Sequence, residues 1–311
     1  MQFLKNLLAS VLGTFIAIVL SFVFLFILLA GIASSIDTAE EVYVKENSVL
    51  TISLQKPVTD RSPKQFEFEA AFDLDAEAIG LDKILASIRS AKDDDRIEGI
   101  SIEHTFLQSG MSQTLVIRDA LTDFKESGKF IYAYHDFFTQ KDYYLASVAD
   151  SVFVHPEGGV ELAGLASEVL YLKEFQDITG IEMQVIRSGA YKSAVEPFLQ
   201  DEMSDENREQ IKSLLDSFWS EMVVKIEERT ALTPKKINEI ASSLDALVSA
   251  NAVELGVVDN VLLRNEYTEL LRAKMELEED DKLHSIDIED YQQTVSTQLG
   301  EGKDRIAVVY A

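Results

Sequence analysis

The N-terminal stretch constrains this chain most, because it is too long and too apolar for an ordinary soluble helix. From Asn6 to Ile36 no residue is charged, and Val11 to Ala33 is rich in Leu, Ile, Val and Phe. About 20 apolar residues cross a bilayer, whereas the apolar region of a cleavable signal peptide is about 7–15 residues long. We therefore expect an uncleaved membrane anchor rather than a signal peptide cleaved near Ala33. Lys5, before the run, favours a cytoplasmic N-terminus with the bulk of the chain on the other side of the membrane.

The composition excludes several classes of function. The chain has 54 acidic and 28 basic residues and no basic stripe with interleaved aromatic residues, so nucleic acid is not an expected partner. The absence of cysteine excludes disulfides, cysteine nucleophiles and thiolate metal sites. The four histidines, His104, His135, His155 and His284, lack a paired metal-ligand spacing, and the sequence has no glycine-rich phosphate loop. We therefore expect neither a metal nor another cofactor.

Beyond the anchor, strand patterns alternate with helix patterns. Alternating β-branched residues predict strands, and apolar residues at a period of about 3.6 predict helices. The alternation of the two is typical of an α/β fold with a largely parallel sheet. Strands are predicted at 49–54, 100–102, 130–134, 152–154 and 183–186, and helices at 81–92, 112–127, 142–149, 167–179 and 204–232, with another opening at Thr233-Pro234.

The end of the sequence is first acidic and then apolar. Leu277 to Asp290 is mostly acidic and polar, which favours a solvated linker. A calcium loop is the alternative, although the EF-hand spacing with its central glycine is missing. Arg305 to Ala311 has the pattern of a buried strand and resembles the first strand at 49–54. We expect it to open a further domain, so that the chain is a fragment ending just inside its second half.

One lysine stands among small and apolar residues in Arg187–Phe198, RSGAYKSAVEPF. An ammonium group in a desolvated pocket loses its proton more easily, and a neutral amine near pH 7 is a usable general base. Ser–Lys hydrolases need such a base, because lysine there takes the role that histidine has in a Ser-His-Asp triad. Taken alone, the spacing favours a surface lysine at a strand–helix junction.

The lysine stretch and the motifs around it resemble the signal peptide peptidase A family, also called protease IV, in its long two-repeat form. YKSAVEPF at 191–198 is similar to the family's lysine motif, and the resemblance extends over roughly residues 45–265. The other similar stretches are Ser127–Lys129, Tyr143–Ser147, Leu162–Gly164, Asp201–Ser204 and Ala252–Asp259. The resemblance implies a crotonase-like fold of repeated β-β-α units, a Ser–Lys dyad and homo-oligomeric assembly. It also implies signal-peptide-like apolar peptides as substrates, at the bacterial inner membrane.

The resemblance divides the chain into four parts. Residues 1–36 are expected to form the cytoplasmic N-terminus and the transmembrane anchor, in contact with membrane lipid. Residues 45–265 form the crotonase-like N-terminal peptidase repeat, in the periplasm. Residues 266–304 are expected to be a helical, acidic linker, and residues 305–311 the start of a truncated second repeat.

The resemblance also implies where the nucleophile is missing. In the family's catalytic repeat the serine lies in an Ala-Ser-Gly-Gly-Tyr-like stretch, three residues before the first aromatic. Gln140 stands at that position here, and Lys141 and Asp142 replace the glycines. An amide is not a nucleophile, so this repeat is expected to supply Lys192 as general base while the second repeat supplies the serine. Gly110 follows a strand, where such folds often place an oxyanion donor, but the glycine signature is degraded and a plain turn is favoured.

Four residues near Lys192 are further candidates. Ser193 is adjacent, and adjacent side chains on one element point apart, so it is a poor partner for the amine. Ser188 and Tyr191 are close enough in sequence to hydrogen-bond the amine. Glu196 either pairs with Lys192, which would raise the lysine pKa and oppose a base role, or has a structural role at a turn or helix start.

Two other classes of function stay open at this stage. A non-catalytic crotonase-like scaffold, or a peptide-binding subunit of an oligomer, is favoured by Gln140 and opposed by the intact lysine motif. A crotonase-type acyl-CoA enzyme is opposed by both the membrane anchor and the lysine motif.

Overall fold

The structure, a computed structural model, describes residues 2–36, 42–62, 78–103, 106–189, 191–278 and 281–295. In the first helix, side chains are described for residues 2–28. The predicted strand at 305–311 lies outside the described residues.

The uncharged N-terminal run is a single helix, α1 (Gln2–Ile36). The part from Gln2 to Leu28 is long and apolar enough to cross a membrane, and none of it is buried against the other described residues. Large apolar side chains such as Phe22, Phe24 and Phe26 project outward from it. A helix that is apolar all round and packs on nothing is suited to lipid, which agrees with the predicted anchor.

The globular part is built on a parallel sheet, as the alternation of strands and helices predicts. Its strands are β1 (Ser48–Ile52), β4 (Ile97–Ile102), β5 (Phe130–His135), β6 (Ser151–Val154), β7 (Asn260–Val261) and β8 (His284–Asp287), and a separate pair consists of β2 (Val58–Thr59) and β3 (Ile79–Gly80). The order across the sheet is β7-β6-β5-β4-β1-β8, and every ladder in it is parallel. The first strand of the described chain, β1, therefore lies inside the sheet, between β4 and β8.

Helices cover both faces of this sheet. The helices after α1 in the described chain are α2 (Leu81–Asp93), α3 (Met111–Lys125), α4 (Gln140–Ala146), α5 (Lys173–Thr179), α6 (Glu196–Leu199), α7 (Asp205–Thr230), α8 (Pro234–Ser243), α9 (Ser249–Glu254), α10 (Arg264–Lys274) and α11 (Ile288–Thr294), with 3₁₀ turns at Ser193–Val195 and Asp245–Leu247. The short helices α5 and α6 lie on a segment that leaves the sheet. Leu50 of β1 packs in the larger core cluster with Ile88 of α2 and Ile226 of α7. Its neighbour Val49 packs in a smaller cluster with Tyr267 of α10, because successive strand residues point to opposite faces.

Several helix boundaries follow the predicted sequence signals. Gly128, the predicted stop after the second helix, has φ 81°, a conformation that glycine adopts without strain. Ser204 caps the long helix α7 by accepting a hydrogen bond from the amide of Asn207, and Thr233 caps α8 through the amide of Lys236. These caps place both helices where the sequence predicts them.

The prediction of a solvated linker at 277–290 is wrong at its C-terminal end. His284–Asp287 is strand β8, paired with β1, and Ile288 of the following helix α11 is fully buried. The Asp287 carboxylate also accepts a hydrogen bond of 2.5 Å from the hydroxyl of Ser53. An acidic segment can therefore belong to the domain, because an edge strand leaves its polar side chains in water.

Two predictions between residues 163 and 190 are also wrong. The helix predicted at 167–179 begins only at Lys173, and residues 183–186 form no strand. Met183 and Ile186 are exposed, so the apolar pattern that suggested a buried strand lies on the surface of this chain.

Candidate active site

Lys192 lies on a segment that leaves the sheet, and we call residues 163–200 the lysine arm. The arm begins at a turn in which Gly164 has φ 76°, and it contains the short helices α5 and α6. Most of its apolar side chains are exposed, among them Leu170, Ile178 and Ile186. The arm is therefore held by a few specific contacts rather than by a core of its own.

The Lys192 side chain is exposed, at the start of the 3₁₀ turn Ser193–Val195. Its backbone carbonyl accepts a hydrogen bond of 3.1 Å from the Arg187 guanidinium, which fixes the turn. Within the described residues the ammonium group has no ion pair or hydrogen bond. The desolvated pocket expected around this lysine is thus not formed by the described part of the chain.

Glu196 is the most deeply buried polar residue in the described part of the arm, with 1% of its side chain exposed. Its carboxylate accepts hydrogen bonds from the hydroxyl of Ser204 at 2.5 Å and from the amide nitrogen of the Asn207 side chain at 3.0 Å. Arg187 approaches it at 3.6 Å. Burial opposes ionisation of this carboxyl, but these donors outweigh it and hold the pKa of Glu196 below its ordinary value.

The contacts of Glu196 settle one of the open alternatives. Its described partners belong to α7 and to Arg187, while Lys192 is not among them. Glu196 is also the first residue of α6, followed by Pro197. The structural role at a helix start is therefore confirmed.

The other three candidate residues near Lys192 also make no contact with its amine among the described residues. The phenol of Tyr191 donates to the Glu209 carboxylate on α7 at 3.2 Å, and this hydrogen bond raises the pKa of Tyr191. Ser193 lies in the 3₁₀ turn and Ser188 is exposed. None of the three is described in contact with the lysine amine.

Gln140, at the position of the missing nucleophile, is the first residue of α4. Its side-chain oxygen accepts hydrogen bonds from the amides of Ala163 at 2.9 Å and Gly164 at 2.8 Å, and its NH₂ group donates to the carbonyl of Gly164 at 2.9 Å. Thr139 and Asp142 cap α4 reciprocally, so a capping box replaces the glycine turn. Gln140 therefore has a structural role in this chain.

Lys141 is a feature that the sequence-based reasoning missed. Burial lowers the pKa of Lys141, partly opposed by the Asp142 carboxylate, and the ammonium donates to the carbonyl of Ser109 at 2.6 Å. It borders a cavity of about 370 Å³ whose apolar wall includes Leu215 and Phe218 of α7. The replacement of a family glycine by lysine was the available signal, but sequence alone did not show its burial.

Gly110 is used as a cap rather than as a free donor. It precedes α3, and its backbone amide donates to the side-chain oxygen of Gln113 at 2.9 Å. The favoured interpretation of Gly110 as an ordinary turn residue agrees with this contact.

Residues 123–278, which include both Gln140 and Lys192, match peptidase family S49. The chain belongs to this family, that of signal peptide peptidase A. It is 29% identical to Protease 4 of Haemophilus influenzae over 281 residues, which cover 86% of this chain and 46% of that protein. It is 28% identical to the chloroplastic serine protease SPPA of Arabidopsis thaliana over 272 residues, 86% of this chain and 38% of that protein.

A third relative, Protease 4 of Salmonella typhi, is 34% identical over 168 residues, which cover 53% of this chain and 27% of that protein. The chain thus spans less than half the length of each of these S49 relatives. The family match begins inside α3 and ends after α10, so it includes the whole lysine arm and the capped start of α4.

Proposed function

We propose that this chain is the lysine-bearing half of a membrane-anchored serine endopeptidase of the Ser–Lys dyad type, which degrades cleaved signal peptides. The observation that supports it best is the state of Lys192. The family motif holds this side chain exposed on an ordered turn, without a partner among the described residues, while Gln140 stands at the nucleophile position. A base presented in this way suits a serine that comes from another part of the complete protein.

In this proposal Lys192 works only after a second surface covers it. Covering an exposed ammonium removes water from it, which favours the neutral amine that a general base requires. The amine then takes the proton of the serine hydroxyl as that oxygen attacks the peptide carbonyl. The leaving amine departs with a proton from the lysine, and the lysine next activates the water that hydrolyses the acyl-enzyme.

The remaining parts of the proposal concern the surroundings of this site. The globular part has a crotonase-like fold that continues past residue 265, since β8 and α11 belong to the same sheet and core, and a second repeat begins near residue 305. The helix α1 anchors the protein in the bacterial inner membrane as a single span, with the bulk of the chain in the periplasm. The substrates are apolar, extended peptides, and the enzyme is a homo-oligomer.

The test is peptide cleavage by the complete protein carrying Lys192→Met. Loss of a positioned general base lowers turnover by about 10²–10⁴-fold. Lys212→Met is the matched control, because Lys212 is an exposed lysine of α7 that pairs with Asp216 within its own helix. Undiminished turnover by Lys192→Met would remove the base assignment. Cleavage by residues 1–311 alone would place the nucleophile inside this chain.

The second candidate is a non-catalytic scaffold or peptide-binding subunit of an oligomer. Gln140 favours it, because the side chain at the nucleophile position makes three hydrogen bonds to the backbone. A complete protein that binds apolar peptides but leaves them uncut, with or without Lys192, would support this candidate.

A further inference from the structure

Gln140 makes three hydrogen bonds to two consecutive residues at the base of the lysine arm. Its oxygen accepts from the amides of Ala163 and Gly164, and its NH₂ group donates back to the carbonyl of Gly164. The three distances lie between 2.8 and 2.9 Å. A primary amide is the side-chain group that can accept from two backbone N–H groups and donate to a backbone carbonyl at the same time.

These bonds connect the arm to the body of the domain at a point where little else does. Gly164 turns the chain outward, and residues 165–172 have no regular secondary structure. Further along, the described hydrogen bonds join the arm to itself, as between the amide of Leu172 and the carbonyl of Pro197, or to α7, as between Tyr191 and Glu209. The returning end is joined to α7 through Glu196. In the described chain, the outgoing end is joined to the domain through the side chain of Gln140.

We infer that Gln140 is a positioning residue that fixes the direction of the lysine arm and thereby the place of Lys192. The functional meaning of this inference rests on the proposed role of Lys192. The claim that Gln140 holds the arm in place rests on the hydrogen bonds alone. A serine at position 140 is too short to bridge to two peptide units and offers one oxygen. The residue that replaces the nucleophile thus has a task that the nucleophile itself does not perform.

A single isosteric substitution tests this with a pH-dependent result. In Gln140→Glu, the ionised carboxylate still accepts from the two amides but sets a second anionic oxygen against the carbonyl of Gly164. The protonated acid donates to that carbonyl as the amide does. The three hydrogen bonds should therefore be broken at pH 7 and restored as the pH falls through the carboxyl pKa. That pKa is ordinarily about 4.3, and it is raised while the arm is held, because only the protonated acid donates to the Gly164 carbonyl. Gln140→Met removes all three bonds at every pH.

The absence of cysteine makes a direct distance measurement practical, because spin labels attach only where cysteines are introduced. Ile186→Cys on the arm and Ser242→Cys on α8 are exposed positions for two labels. The label-to-label distance distribution is measured by pulsed electron paramagnetic resonance on the full chain in detergent, from pH 7 to pH 3. Gln184→Glu, the same substitution at an exposed position on the arm, is the matched control.

We expect a narrow distribution for the unsubstituted chain and for Gln184→Glu at each pH. Gln140→Met should at least double the width throughout, and Gln140→Glu should do so at pH 7 but return to the narrow distribution in acid. Widths for both Gln140 variants that equal those of the unsubstituted chain at pH 7 would overturn the inference, as would a Gln140→Glu width that does not respond to pH. Because no activity enters this measurement, its outcome is independent of the Lys192→Met test.

Discussion

Replacing Glu196 by Gln should loosen the returning end of the lysine arm while leaving the sheet intact. The substitution keeps the shape of the side chain but leaves one oxygen where the carboxylate had two. Ser204 and Asn207 both donate to that carboxylate, so one of the two donors then faces an NH₂ group instead of an acceptor. A hydrogen bond to a charged group is worth about 1.5–3 kcal/mol. Local opening should become easier by about that amount, which corresponds to an opening constant about 10- to 150-fold larger.

Hydrogen exchange measured by mass spectrometry can detect this opening, because it reports the stability of each segment separately. Peptides covering residues 193–208 should exchange faster by that factor, while peptides from β4 and β5 should be unchanged. The control is Glu206→Gln, which removes a charge from the exposed face of the same helix start. Exchange within twofold of the original rate in residues 193–208, or acceleration spread equally over the sheet, would refute the reasoning.

The pH dependence of the same segment gives a second check on Glu196. Its pKa in the folded chain is held below the ordinary value, so its contribution to stability is fully present above the pKa of the unfolded chain. That contribution is lost as the pH falls through the lowered folded pKa. The difference in protection between the unsubstituted chain and Glu196→Gln should therefore be constant near neutral pH and shrink in acid. A difference that grows in acid would contradict the sign of the shift.

Two further substitutions test the packing of the domain. Ile226→Ala removes a fully buried side chain and should lower the free energy of unfolding by about 2–5 kcal/mol, while Leu214→Ala, on the exposed part of the same helix, should change it by less than about 0.5 kcal/mol; denaturant unfolding followed by Trp219 fluorescence distinguishes them. Gly159→Ala places a Cβ against the carbonyl oxygen of Leu247, closer than van der Waals contact allows, so the backbone must move and stability should fall by about 1–3 kcal/mol. An unchanged melting temperature would show that this contact relaxes freely.

Local sequence patterns were sufficient for the interior of the domain. The predicted helix at 81–92 and the strands at 130–134 and 152–154 each have a repeating apolar pattern with a clear boundary signal, and each occurs within one or two residues of its predicted limits. The parallel sheet follows from the alternation of these elements. Capping residues such as Thr233 also act through neighbours in sequence, so they can be identified without a structure.

The elements that sequence did not predict depend on distant partners. Strand β8 is polar and acidic, and only its pairing with β1 makes it a strand. Residues 183–186 have the opposite property, since an apolar strand pattern is present but the described chain provides no partner for it. The β-propensity of a residue describes how well it fits a pleated, half-buried surface. The neighbouring strands that form this surface come from distant parts of the chain.

The candidate site likewise contains some features that could be predicted from the sequence and others that could not. The motif around Lys192 identified the lysine, and the proline after Glu196 indicated a helix start. The exposure of Lys192 agrees with the surface lysine that the spacing alone favours. The three bonds of Gln140 could not be predicted, because they depend on how the arm is placed in space. The burial that lowers the Lys141 pKa could not be predicted either, because it also depends on the three-dimensional arrangement of the chain.

The position of β1 inside the sheet has a consequence for synthesis of the protein. One edge of β1 pairs with β4, which follows soon after it in the chain. The other edge stays unpaired until β8 has been synthesised. Ser53 and Asp287, which are bonded in the finished sheet, are 234 residues apart. At about 5–20 residues per second, the ribosome needs on the order of 10 to 50 s to cover that distance. A nascent chain therefore has an open, apolar strand edge for that whole interval, and this edge can pair with a neighbouring nascent chain until β8 is synthesised.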